Sequence, residues 1–106
     1  MDIGTDIIEV DRIARAIERR RFFERVYTAS ERARAEGMNE ARVAQYFSGL
    51  YAAKEAAIKA CGSGTIFDYE IGHEQSGKPF FVGREDLKLS ISHTKNNAIA
   101  VVMAMP

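Results

Sequence analysis

Tyr51-Ala52-Ala53-Lys54-Glu55-Ala56-Ala57-Ile58-Lys59-Ala60 decides the fold. Five of these ten residues are alanine, the best helix former. The helix is predicted to start after Asn39, a good N-cap, and to stop at Gly62, a typical C-terminal glycine. Val43, Phe47, Leu50, Ala57 and Cys61 recur at three- and four-residue steps or their sums, which gives one apolar face. Lys54, Glu55 and Lys59 interrupt the alanines, and Glu55 and Lys59 stand one turn apart on the same face. Small neighbours around a carboxylate and an amine leave room for a ligand. The plain alternative is a surface ion pair worth a few tenths of a kcal/mol.

Strands surround this helix. Residues 2–9 alternate, with Ile3, Thr5 and Ile7 on one face and Gly4, Asp6 and Ile8 on the other. Residues 10–20 are predicted to form an amphipathic helix with Val10, Ile13, Ala14 and Ile17 as its stripe and Arg12, Arg15 and Arg19 opposite. A second short helix, loosely capped by Thr28 and Glu31, is predicted to run to about Glu36 and end at Gly37. Phe67 to His73 reads as a strand, Gln75 to Pro79 as a turn, and Phe80 to Val82 as the returning strand of a hairpin. Leu87 to Ser92 is another strand, followed by a polar turn at residues 93–97 and a buried final strand from Ala98 to Met105. The expectation is one α+β domain over residues 1–106: a small antiparallel sheet packed against a long central helix and shorter helices.

Composition narrows the class. The chain has 106 residues, 46% hydrophobic and 28% charged, as in soluble globular proteins. Zero formal net charge argues against a general affinity for nucleic acid. The charge is uneven: from Arg12 to Arg25 six arginines face only Glu18 and Glu24, a surface suited to an acidic partner. Met1-Asp2 opens without a basic or apolar leader, and Cys61 has no partner for an internal disulfide, so the expectation is a cytoplasmic protein. The longest apolar run, Ala98 to Met105, is too short to span a membrane.

Asp6 is the odd residue of the first strand, because a carboxylate among apolar neighbours costs several kcal/mol unless it is paired or binds a metal. With Glu55 it offers two oxygen ligands of the kind that suit Mg²⁺ together with substrate phosphates. Lys59 could hold one phosphate, and the His93-Thr94-Lys95 turn a second. A phosphate-ester substrate with more than one phosphate follows. On these residues alone another Mg²⁺-dependent nucleotide or phosphate-ester enzyme fits equally well.

Three segments carry a resemblance: Gly4-Thr5-Asp6-Ile7-Ile8-Glu9-Val10-Asp11-Arg12-Ile13, Ala52-Ala53-Lys54-Glu55-Ala56 with Lys59, and Ser90-Ile91-Ser92-His93-Thr94. With the Gly77-Lys78-Pro79 turn, and in this order, they resemble the holo-[acyl carrier protein] synthase family of 4′-phosphopantetheinyl transferases. The resemblance implies transfer of the phosphopantetheine arm of coenzyme A to a carrier-protein serine, dependence on Mg²⁺, and release of 3′,5′-ADP, in fatty acid or polyketide synthesis. It implies a homotrimer with active sites in the clefts between subunits. By position, Asp6 and Glu55 are the metal ligands and, with Lys59, the catalytic residues. Lys59, with Lys54, meets coenzyme A, His93 and Thr94 lie near its 3′-phosphoadenosine end, and Arg12 meets the acyl carrier protein. Arg15 and Arg19 join Arg12 from the helical-face argument. The acceptor of the serine proton is either Glu55 or a metal-bound water. Members of the family commonly carry an arginine where this chain has Leu50, which shifts that phosphate contact to Lys54, Lys95 or Arg42 and keeps a non-catalytic carrier-binding homologue as the alternative.

Overall fold

The computed structural model describes residues 1–106. Strand β1 (Asp2–Glu9) leads into three short helices, α1 (Val10–Ala16), α2 (Arg20–Val26) and α3 (Ala29–Arg34), and then into the long α4 (Glu40–Cys61). A 3₁₀ turn (Ile66–Asp68) precedes the hairpin β2 (Ile71–His73) and β3 (Pro79–Phe81), and β4 (Leu87–His93) and β5 (Asn97–Ala104) close the chain. β1, β5 and β4 form an antiparallel sheet in that order, and β2 and β3 form a separate pair. The α+β architecture expected from the sequence is therefore present.

α4 lies across the three-stranded sheet, and its alanines explain how closely. Ala52, Ala53, Ala56, Ala57 and Ala60 are all buried against β1 and β5. Gly4 is the matching residue on β1: a Cβ there would sit 2.0 Å from the Ala56 carbonyl oxygen and 2.6 Å from the Ala60 nitrogen. No side chain larger than hydrogen fits without forcing helix and strand apart. This contact sets the distance between the strand carrying Asp6 and the helix carrying Glu55 and Lys59. The helix ends are as predicted: the Asn39 side chain accepts from the Arg42 N–H at 2.9 Å, and Gly62 takes a left-handed conformation with φ of 70°.

Three expectations need correction. The helix predicted over 10–20 stops at Ala16, and α2 starts afresh at Arg20. At about 100° per residue, an unbroken helix would turn Arg20 and Arg21 toward the core and Phe22 and Phe23 away from it. The break lets Phe23 meet Phe47, with ring centres 5.0 Å apart, beside Tyr27 at 4.6 Å from Phe47. The strand predicted from Phe67 is only β2, because the Asp68 carboxylate accepts the Thr65 N–H at 2.6 Å and winds residues 66–68 into a turn. The final strand is buried on one face only: Ala98, Ala100 and Val102 face α4, while Ile99 and Val101 face outward beside Ile3 and Ile7 of β1. No helix is long and apolar enough to cross a membrane.

Candidate active site

The first cluster forms where β1 meets the C-terminal half of α4. The Lys59 ammonium donates to the Thr5 carbonyl at 3.0 Å and to the Asp6 carboxylate at 3.2 Å. The lysine side chain stays 56% exposed and the aspartate only 18%, so the amine can leave Asp6 for a ligand while Asp6 stays in place. Glu55, one turn before Lys59 on the same helix face, is half-buried. Tyr51, a turn further back, joins them. Its hydroxyl is held above the ordinary tyrosine range by burial first, then by the Glu55 charge; Glu55 as a hydrogen-bond partner and Asp6 add to this, and Arg12 opposes it. The structure therefore gathers Asp6, Glu55, Lys59, Tyr51 and Arg12.

Asp6 and Glu55 are joined by no third aspartate, glutamate, histidine or cysteine in a metal-binding cluster. Two hard oxygen donors with open positions suit a Mg²⁺ ion, which keeps waters and takes phosphate oxygens from its substrate. The pair fits Mg²⁺ better than it fits zinc, which in its structural and catalytic sites takes three or four protein ligands.

Arg12 and Arg15 of α1 and Arg19, which lies beyond the end of that helix, come together without the single helical face expected for them. Arg12, Arg15 and Arg19 line a cavity of about 430 Å³ with Ile13, Ala16, Phe22 and Tyr51. Tyr51 thus borders both the acidic cluster and the arginine face. Sequence reasoning missed it as a site residue, although its spacing of four from Glu55 was a readable signal.

His93 lies elsewhere. It borders a cavity of about 200 Å³ between the N-terminal half of α4, the β2–β3 hairpin and β4, with Arg42, Gln45, Tyr46, Leu50 and His73. None of Asp6, Glu55 and Lys59 lines that cavity. Asp6 is on β1 and His93 on β4, with β5 between them. Neighbouring strands are about 4.8 Å apart, so the two groups stand over opposite edges of the sheet. Thr94 follows in the turn, where its hydroxyl oxygen accepts the Asn97 N–H at 3.2 Å and holds the loop's shape. His73, which the sequence reading passed over, has its imidazole held below the ordinary value by burial and then by Arg34.

Lys54 is a correction. Expected at the ligand, it is 1% exposed, and its ammonium donates to both Glu31 oxygens at 3.0 and 2.9 Å and to the Tyr69 carbonyl at 2.7 Å. An amine with three internal acceptors and no path to solvent is part of the core. Of the three residues expected to take over from the missing arginine at Leu50, Arg42 is the one on the same cavity wall as Leu50 and His93.

A family model described as the 4′-phosphopantetheinyl transferase superfamily matches residues 2–102. A holo-[acyl-carrier-protein] synthase of Geobacillus kaustophilus is 41% identical, over 95% of this chain and 85% of that one. One from Bacillus mycoides is 38% identical over 95% of this chain and 92% of its own. Among solved structures, a holo-(acyl-carrier-protein) synthase from Bacillus anthracis in complex with CoA (3′,5′-ADP) superposes with a TM-score of 0.86 at 37% identity, covering 99% of this chain and 96% of that one. The Helicobacter pylori holo-[acyl-carrier-protein] synthase in complex with coenzyme A gives 0.82 at 28% identity, covering 96% and 98%.

Proposed function

Because the chain belongs to the 4′-phosphopantetheinyl transferase superfamily, among its holo-[acyl-carrier-protein] synthases, we propose that it moves the 4′-phosphopantetheine group of coenzyme A to a serine of an acyl carrier protein in the cytoplasm. The reaction is Mg²⁺-dependent and releases 3′,5′-ADP. The observation that carries this reading is the meeting of Asp6, Glu55 and Lys59 beside an arginine-lined face.

The carrier's serine oxygen attacks the β-phosphorus of the pyrophosphate. The bond from that phosphorus to the bridging oxygen breaks, and its electron pair leaves with 3′,5′-ADP. Asp6 and Glu55 would hold Mg²⁺, which supplies charge neutralisation at the pyrophosphate. Lys59 swings from Asp6 to the phosphate oxygens and stabilises the charge that grows on the leaving group. The serine proton passes either to Glu55 or to a water held beside it, the two acceptors within reach of the reacting oxygen in this reading. Arg42 and His93 bind the 3′-phosphoadenosine end, with Arg42 supplying the charge that Leu50 lacks.

The test is the intact mass of an apo acyl carrier protein incubated with this protein, coenzyme A and Mg²⁺. A gain of one phosphopantetheine group, absent with EDTA, is the expected result. Carrier binding without any gain would instead favour the non-catalytic homologue, for which Leu50 is the motive.

The active unit is a homotrimer. Two features support it: the outward sheet face carries Ile3, Ile7, Ile99 and Val101 in adjacent positions, and the two ligand-binding groups lie over opposite edges of one sheet. An apolar face of this kind marks an interface, and symmetric assembly would bring His93 of one subunit toward Glu55 of the next. Ile7→Glu combined with Ile99→Glu places charges at two exposed, cross-strand positions. Sedimentation should then show monomers in place of trimers, with the apparent KM for coenzyme A raised on the order of tenfold or more. A wild-type protein that sediments as a monomer would sink the trimer.

A further inference from the structure

We propose that His73 is a specificity-determining residue for coenzyme A: with Arg42 and His93 it meets the 3′-phosphate and takes a proton from solvent as that phosphate binds, so the preference for coenzyme A over dephospho-coenzyme A falls as pH rises. The inference rests on the transferase reading for the identity of the ligand and deepens what that reading says of the His93 cavity.

The chain has two histidines, and both border the cavity of about 200 Å³ between α4, the hairpin and β4. Its other polar side chains are Arg42, Gln45 and Tyr46, and no carboxylate lines it. Leu50 closes one side as a buried apolar residue. Arg42 is therefore the one permanently charged group on the wall. A phosphate monoester carries close to two negative charges at neutral pH, since its second pKa is about 6. One guanidinium neutralises half of that, and on this wall a second positive charge can come only from an imidazole.

His73 is held in place for this role. β2 is anchored at its start by the Ile71 N–H, which donates to the Glu31 carboxylate at 2.8 Å. Alternation puts His73 on the same face of the strand as Ile71, and its cross-strand partner Pro79 lines the same cavity. The Tyr46 ring lies beside the imidazole, with ring centres 6.0 Å apart. A half-buried ring flanked by Pro79 and Tyr46 has little freedom to lose when a ligand arrives.

The groups around His73 make its proton conditional on the ligand. From α3, Arg34 and Glu31 share a second cavity with it, but both Glu31 oxygens are taken by the Lys54 ammonium. From α4 come Arg42 and Tyr46, and burial pushes the Tyr46 hydroxyl up to about 12, so it stays neutral. From β4 comes His93. Within the hairpin, Glu74 and Lys78 line a different cavity. Burial first, and then Arg34, hold the His73 imidazole below its ordinary value, so without a ligand it is mostly neutral at about pH 7. A dianion beside Arg42 supplies the missing opposite charge and favours the imidazolium. Binding then takes up a proton between the lowered midpoint of the free protein and the raised midpoint of the complex, and affinity for the phosphate falls as pH rises through that window.

The ratio of the Kd for dephospho-coenzyme A to the Kd for coenzyme A, measured by calorimetry on the full chain, isolates the 3′-phosphate, because the rest of the two ligands is the same. From about pH 7 to about pH 8.5, where the phosphate stays a dianion, the ratio should fall roughly three- to tenfold. His73→Gln should start from a lower ratio and stay level within about twofold, whereas His73→Lys, which keeps its charge, should stay high and level. His73→Gln also assigns the imidazole proton resonances of the two histidines, and saturating inorganic phosphate should raise the His73 midpoint by roughly 1–3 pH units. A level ratio in the wild-type protein overturns the proposal. A slope that persists in His73→Gln also overturns it and moves the role to His93. If neither coenzyme binds, the transferase reading falls, and the phosphate titration alone decides whether His73 belongs to an anion site.

Discussion

Glu55→Gln is expected to lower kcat for transfer by roughly 100- to 10,000-fold, the range over which a positioned proton-transfer group acts. The substitution is nearly isosteric, and Glu55 is half-buried with one edge at Tyr51, so the fold should be kept. Two losses coincide at this position. An amide cannot take the serine proton, and it is a poorer ligand for a hard cation than a carboxylate. The Tyr51 hydroxyl reports the change without any turnover. Removing the charge next in weight to burial should bring its titration down toward the ordinary tyrosine value, which ultraviolet difference spectra would follow. If kcat is unchanged while the tyrosine titration moves, Glu55 is present at the site but idle in the reaction. Raising Mg²⁺ should recover only that part of the loss that is due to weaker cation binding.

Much of this site was legible because it depends on short spacings. Glu55 and Lys59 share a helix face by their separation of four, and Gly4 with Asp6 shares a strand face by alternation. The Asn39 and Gly62 ends of α4 could be read for the same local reason. What was not legible depends on the chain folding back. Lys54 sits beside Glu55 in sequence and looks equally available, but the next residue on a helix points about 100° away, and in this case into the core. Its partner Glu31 is 23 residues upstream and reads locally as a capping glutamate, which it also is. The outward face of β5 was hidden because Ala98 to Met105 is apolar on both sides, and a continuous apolar run is normally buried twice over. That exception leaves Ile99 and Val101 exposed beside Ile3 and Ile7, the face on which the proposed trimer rests.

Lys54→Met should destabilise the protein by about 3–5 kcal/mol, the usual cost of leaving one member of a buried ion pair without its partner. Glu31 is 1% exposed, and its two oxygens also accept the Thr28 N–H and the Ile71 N–H, each at 2.8 Å. The node therefore ties the start of α3, the middle of α4 and the start of β2 together. Burial holds the Lys54 amine below its ordinary pKa, and Glu31 offsets part of that shift. Such a loss is a large share of the roughly 5–15 kcal/mol available to a chain of this size. In a domain of about 100 residues each kcal/mol moves Tm by roughly 4–8 °C. The measurement is urea or thermal unfolding at fixed protomer concentration, so that the proposed assembly would weigh equally on every variant. The double variant Glu31→Gln with Lys54→Met separates charge from shape. The introduced amide oxygen can still accept the Ile71 N–H, and no unpaired charge remains, so the double variant should be more stable than Lys54→Met alone by about 2 kcal/mol or more. It should still fall short of wild type, because the Tyr69 carbonyl loses its buried donor at a cost of about 1–3 kcal/mol. If Lys54→Met unfolds within about 1 kcal/mol of wild type, the amine reaches solvent and the node is no part of what holds the hairpin.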